Sequence, residues 1–326
     1  MKANLQDLKD YRSPIESSAR RSNKWKRMRR DIVQHWQLYP IVALPVAFLV
    51  VFSFFPIVGD QVAFRNYDPV LGMWKSPWVG LQQFYDLFSG PYFWLLIRNT
   101  VTLSLYYIVV SIPAQVILAI AINEVRHRWF KKFVQTITYA PYFISVVVLV
   151  GMMEILLAPS IGPLASIFHS LGHSSAPDLL GSSSWFPSIY VWSGIWQETG
   201  YGAVIYLAAL AGVNPELYEA AKMDGATRLQ KIWNIDLPSL KPTITILLIL
   251  SIGGLLTVGF EKVYLLQNAL NLNSSQIIST YVFEIGILDG NISFAAAVGL
   301  FQSLIAMIMV LGVNFAAGRF SDTTLF

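Results

Sequence analysis

The amino-acid sequence reads as an all-α, polytopic membrane protein with six transmembrane helices, and three observations carry that reading. Of 326 residues, 55% are hydrophobic and only 13% charged, about half the roughly 25% charged content of a soluble domain. Apolar runs of about twenty residues, the length that crosses the hydrocarbon layer, recur six times, one of them with a charge inside it. Lys and Arg are concentrated in alternate connections, the pattern left when basic residues are retained on the cytoplasmic side.

In chain order the predicted spans lie near 39–58, 96–122, 133–157, 188–211, 242–266 and 292–317. With the N-terminus inside, residues 1–38 hold ten of the 23 basic residues, 123–132 four, 212–241 four and Arg319 one, leaving Arg65, Lys75, Arg98 and Lys262 for the opposite side. Both termini are therefore expected in the cytoplasm. Four regions follow: a basic cytoplasmic segment, 1–38; a first span with an external aromatic-rich loop, 39–95; a core membrane domain, 96–317, containing the cytoplasmic loop 212–241; and a tail, 318–326.

The basic segment carries Trp25, Met28, Ile32, Trp36 and Tyr39 at helical spacing. It is read either as a helix on the lipid headgroups or as the positive flank of the first span. The first span has no small-residue cleavage pattern after it and is expected to remain as an anchor. Trp74, Trp78, Tyr85, Tyr92 and Trp94 in the loop that follows fit an interfacial aromatic belt. A second external stretch, 158–187, is broken by Pro159, Pro163 and Pro177 and predicts short helices joined by turns.

Residues 212–241 are too long for a passive connection of two to eight residues. Asn214 is suited to cap a helix, and Pro215 fits its first position, where no N–H is needed. Glu216 and Glu219 sit in the early turns that favour acids. Leu217, Ala220, Ala221 and Asp224 share one face, with small residues at its middle. Gly225 permits a sharp break. A second short helix over 226–234 is expected to end before Pro238, because the residue preceding proline is steered away from helix.

Glu219, Ala220, Ala221, Gly225, Ile235, Leu237 and Pro238 together fill the pattern Glu-Ala-Ala, three residues, Gly, nine residues, Ile-x-Leu-Pro. This closely resembles the cytoplasmic loop of permease subunits of binding-protein-dependent ABC importers. Residues 279–301, with Thr-Tyr-Val and an Ala-rich Val-Gly-Leu-Phe, more loosely resemble permeases that import sugars and oligosaccharides. The resemblance covers about 40–317 and implies the type I importer permease fold. It also implies a coupling helix, including Asp224, that docks in a groove on an ATP-hydrolysing subunit. The implied partners are a second permease, by that analogy a related but different chain, two ATP-binding subunits, an external solute-binding protein and a saccharide.

The sequence has no G-x-x-x-x-G-K-[ST] phosphate loop, so ATP and Mg are expected on the partner subunits, with no cofactor in this chain. Cysteine is absent, which excludes thiol chemistry. His169 and His173 are four apart, but Gly172 intervenes and no further ligand completes a zinc set. The Asn-x-Ser matches at Asn273 and Asn291 matter only in a secreted eukaryotic setting.

Glu198 lies in the middle of a span, where an acid costs about 2.5–3.5 kcal/mol on insertion scales and marks a pathway or a buried partner. With Trp192, Trp196, Gln197 and Tyr201 it supplies the hydrogen-bonding groups and flat faces that a sugar requires. The other reading packs these residues within the bundle. Glu154, Glu261 and Lys262 are read as interfacial. The rival function class is a proton-coupled secondary transporter or channel using Glu198. Neutral and acidic sugars are not distinguished at this level.

Overall fold

The computed structural model describes residues 34–36, 38–256 and 259–320. The basic cluster at 20–33 and the tail 321–326 lie outside them. The described residues form two compact units, one ending at Gln61 and one beginning at Val62.

Helix α1, Leu38–Leu49, continues through a π-turn and a 3-10 stretch to Phe64, giving 27 residues with a strongly apolar composition. An element apolar on every face is suited to hydrocarbon.

In the second unit, α2 (Phe93–Glu124) runs beside α5 (Phe186–Ala211), and this pair forms the centre of the bundle. At 26 residues, α5 reaches about 39 Å, enough to cross a bilayer. Its polar centre makes it less apolar than α1, α2, α7 (Arg228–Gly253) and α9 (Ile292–Phe320), the four helices that are both long and strongly apolar among the described residues. Burial of Tyr206, Ala203, Val191 and Leu210 against neighbouring helices compensates for that composition.

The third predicted span is not continuous. Helix α3, Arg128–Tyr139, is extended by a 3-10 turn to Phe143 and meets α4, Val146–Leu156, at 95°. The bend is specified locally: Pro141 sits in the 3-10 turn, and Ser145 caps α4 by accepting from Val148 N at 3.3 Å. Gln197 of α5 donates to the Ile144 carbonyl at 2.7 Å, satisfying a group the bend leaves free.

The fifth predicted span also divides. Helix α7 stops at Gly253, and a separate short helix α8, Phe260–Leu266, follows. Side chains from other elements capture the released carbonyls: Ser104 donates to Leu255 O, and Gln302 donates to Leu256 O at 2.7 Å. Fully buried Asn271 donates to Leu266 O and Leu180 O, both at 2.9 Å, fixing the far end of α8. Non-helical backbone at this depth persists because protein groups satisfy it.

At Pro238 the expected break does not occur. Residues Ile232–Asp236 form a π-turn in which Leu237 N–H bonds to Ile232 O, and the helix passes through the proline. Shifting to an i to i−5 register accommodates the missing N–H without ending the helix.

Candidate functional site

Two features stand out in the second unit: a two-helix finger at one end of the bundle and a polar cavity within it.

The finger begins at Asn214, whose side chain accepts from Glu216 N at 3.0 Å and caps α6, Pro215–Met223. Pro215 occupies the first turn as expected. Gly225 has φ +70°, Gly225 N donates to Lys222 O at 3.2 Å, and Ala226 N donates to Ala221 O at 2.9 Å. This is the paired-bond termination that requires a left-handed residue. Thr227 and Gln230 then cap the start of α7 reciprocally, a Thr-x-x-Gln signal legible in the sequence. Glu219, Ala220, Asp224 and Gly225 are exposed, Ala221, Ile235 and Leu237 are half-buried, and Pro238 is exposed. Apolar Leu217, Met223, Leu229 and Trp233 also stand open, Met223 at 87%, a pattern suited to a docked partner.

The finger is tied to the bundle. Tyr218 of α6 donates to Asp236 Oδ1 at 2.5 Å, and Asp236 is fully buried. Lys231 of α7 pairs with Glu124 at the end of α2, 3.5 Å apart. Burial raises the Tyr218 hydroxyl above its ordinary pKa of 10.0, followed by its bond to Asp236 and the nearby charges of Asp236 and Glu124. The phenol is therefore held neutral, as a donor. Asp236 occupies the unspecified position of Ile-x-Leu-Pro, so the pattern itself assigned it no role.

The cavity, about 300 Å³, is bounded by α2, α5, the end of α7 and α8. That is near the lower end of the roughly 300–1,000 Å³ typical of small-molecule sites. Glu198 lines it and accepts a hydrogen bond from the Tyr107 hydroxyl. Lys262 lines it too, donates to the Tyr190 carbonyl at 3.0 Å, and lies 5.0 Å from that ring's centroid. The interfacial expectation for Lys262 is thus corrected: it is 8% exposed, while adjacent Glu261 is exposed. The break after α7 turns α8 inward, which periodicity along a continuous span does not foresee. Gly194 leaves the space between these groups. A Cβ there would stand 2.9 Å from Tyr107 Cε2 and 3.2 Å from Lys262 Nζ.

Of the five sequence-selected pathway residues, Glu198 alone lines this cavity. Gln197 is buried and bonded to the α3–α4 bend. Trp192 and Trp196 are both exposed, Trp192 donating to the Tyr106 hydroxyl at 3.1 Å, and Tyr201 stacks on Tyr142 at 4.0 Å. Tyr107 and Tyr190 were missed because no pattern separates cavity aromatics from packing ones.

A helical membrane bundle with a cavity at its centre and a protruding finger tied to a cavity-lining helix defines a transport permease. The chain belongs to the family described as binding-protein-dependent transport system inner membrane component, matched over residues 112–322, and is a permease subunit of an ABC importer. It is similar to the polygalacturonan/rhamnogalacturonan transport system permease protein YteP of Bacillus subtilis (strain 168), with 40% identity covering 94% of this chain and 95% of that one. It is also similar to a crystal structure of a bacterial ABC transporter involved in the import of the acidic polysaccharide alginate. The TM-score is 0.83 at 36% identity, covering 90% of this chain and 99% of that one. A second crystal structure, of a bacterial alginate ABC transporter in complex with alginate pentasaccharide-bound periplasmic protein, matches with TM-score 0.83 and 35% identity over 91% and 99% of the two chains.

Proposed function

We propose that this chain and a second permease subunit, a related but different chain, form the pathway by which a saccharide crosses the bacterial cytoplasmic membrane. Two separate subunits bind ATP and Mg and dock on the finger 214–238, and an external binding protein delivers the substrate. The termini, with 1–38 and 318–326, lie on the same cytoplasmic side as the finger. The observation that carries this reading is the joining of finger and pathway: Lys231 meets Glu124 on α2, the helix that also contributes Tyr107 to the cavity. Displacement at the finger is thereby applied to a cavity wall. The saccharide-transport names of similar proteins support the choice of cargo.

Glu219, Ala220, Ala221, Asp224 and Gly225 meet the ATPase, while Ile235, Leu237 and Pro238 set the finger's root. Glu198 meets substrate within this chain. Trp192, Trp196 and Tyr201 extend the pathway toward the second permease, with Gln197 holding the bend beside it.

In proteoliposomes holding the complete importer and its binding protein, withdrawing internal ATP is expected to abolish uptake, and collapsing the proton gradient to leave it unchanged. Uptake that follows the gradient without ATP would instead return Glu198 to proton coupling. Gly194→Val is expected to lower uptake at least about tenfold, because its methyls enter the space between Tyr107 and Lys262. Unchanged uptake by a correctly inserted variant would place the pathway elsewhere.

A further inference from the structure

The cavity holds one cation and one carboxylate that are not in direct contact. Lys262 and Glu198 both line it, yet they form no ion pair among the described residues. Glu198 is engaged by the Tyr107 hydroxyl. Lys262 spends one donor on the Tyr190 carbonyl at 3.0 Å, and an ammonium group has three. A cation removed from water is costly unless an opposite charge and further hydrogen bonds replace its hydration. The face of Tyr190 offers partial compensation, with its centroid 5.0 Å away. A carbonyl and a ring leave the formal charge uncompensated by any anion in direct contact.

We propose that the cavity selects anionic saccharides, with Lys262 binding the carboxylate of a uronate unit and Glu198 accepting one of its hydroxyls. This deepens, and rests on, the saccharide reading above. The separation of the two charges sets orientation: a carboxylate placed beside Glu198 would be repelled, and one placed beside Lys262 is attracted. A hydroxyl suits Glu198, which accepts and does not donate when ionised. The Tyr107 ring, which also lines the cavity, offers a flat apolar face to the C–H side of the sugar. Lys262 is held for this task from both directions, since Asn271 fixes the end of α8 and Tyr190 anchors the ammonium. Gly194 lets Tyr107 and Lys262 pack closely against α5, where a Cβ would crowd both.

The test compares charge at constant saccharide shape. Uptake by the complete importer in proteoliposomes is measured for oligogalacturonates and oligomannuronates and for their methyl esters, which lack the negative charge. Each variant is referred to wild type on the same compound, so that any preference of the binding protein cancels. Lys262→Gln is expected to lower uptake of the acidic form transported by wild type at least about tenfold, equivalent to about 1.4 kcal/mol, and uptake of its ester less than about twofold. Lys262→Arg is expected to retain acidic uptake within about threefold, which excludes a folding defect. Equal loss on acid and ester, no loss on either, or loss in Arg matching that in Gln would overturn the proposal while leaving saccharide import intact. Failure of wild type to import any of these compounds or neutral oligosaccharides with ATP present would overturn the saccharide reading itself, and this proposal with it.

Discussion

Gly225→Trp is expected to abolish ATP-driven uptake and to release or uncouple the ATPase subunits, while the chain still inserts in the membrane. Gly225 closes α6 at φ +70°, and both terminating bonds depend on that geometry. An L-residue in the left-handed region costs roughly 1–2 kcal/mol. The space around the position is open, with nothing within 4 Å of where a Cβ would stand, so an internal clash contributes nothing. Gly225→Ala therefore isolates the backbone cost and is expected to reduce uptake only partly. The indole adds bulk on an exposed surface that the partner must cover. Copurification of ATPase subunits and uptake in proteoliposomes are the two readouts. Normal uptake by Gly225→Trp would move the docking surface away from this turn.

Asp236→Ala is expected to let ATP hydrolysis continue with uptake reduced about tenfold or more. Asp236 is fully buried and accepts the Tyr218 hydroxyl at 2.5 Å, joining α6 to the root of α7. The Tyr218 hydroxyl is only part-buried, so losing its partner costs toward the lower end of about 1–3 kcal/mol. The larger consequence is mechanical, because α6 can then turn without moving α7. Asp236→Asn keeps an acceptor and is expected to behave between wild type and Ala. The ratio of ATP hydrolysed to substrate imported measures the effect, and an unchanged ratio in Asp236→Ala would remove the clamp from the lever.

The same contact has a defined alkaline response. The Tyr218 pKa is raised above its ordinary 10.0 in the folded chain, so the native state holds its proton more firmly than the unfolded state. Its stabilisation is complete below about pH 10 and declines as pH rises beyond that toward the folded pKa. Tyr218→Phe removes this contribution.

Much of the fold was legible because the bilayer imposes a length and composition rule on each span. The finger was equally legible: Asn214, Pro215 and Gly225 act through their own backbones within a few residues, and the structure places each in the predicted role. Pro238 differs because a π-turn just before it supplies a register that a local rule about proline does not consider. The two broken spans differ for a related reason. Apolar composition continues through Ile144 and Leu255, while the breaks depend on hydrogen bonds from Gln197, Ser104 and Gln302, all distant in sequence.

By itself the sequence determined a helical membrane permease, the position of its finger, and the acid at the middle of α5, since hydropathy, capping and motif spacing are local properties of the chain. Only the tertiary structure decided which groups meet Glu198, turned Lys262 from the expected interface into the cavity, and joined Tyr218 to Asp236. Those outcomes depend on where separate helices break and cross, and that is set by long-range packing and by the need to satisfy backbone groups shielded from water.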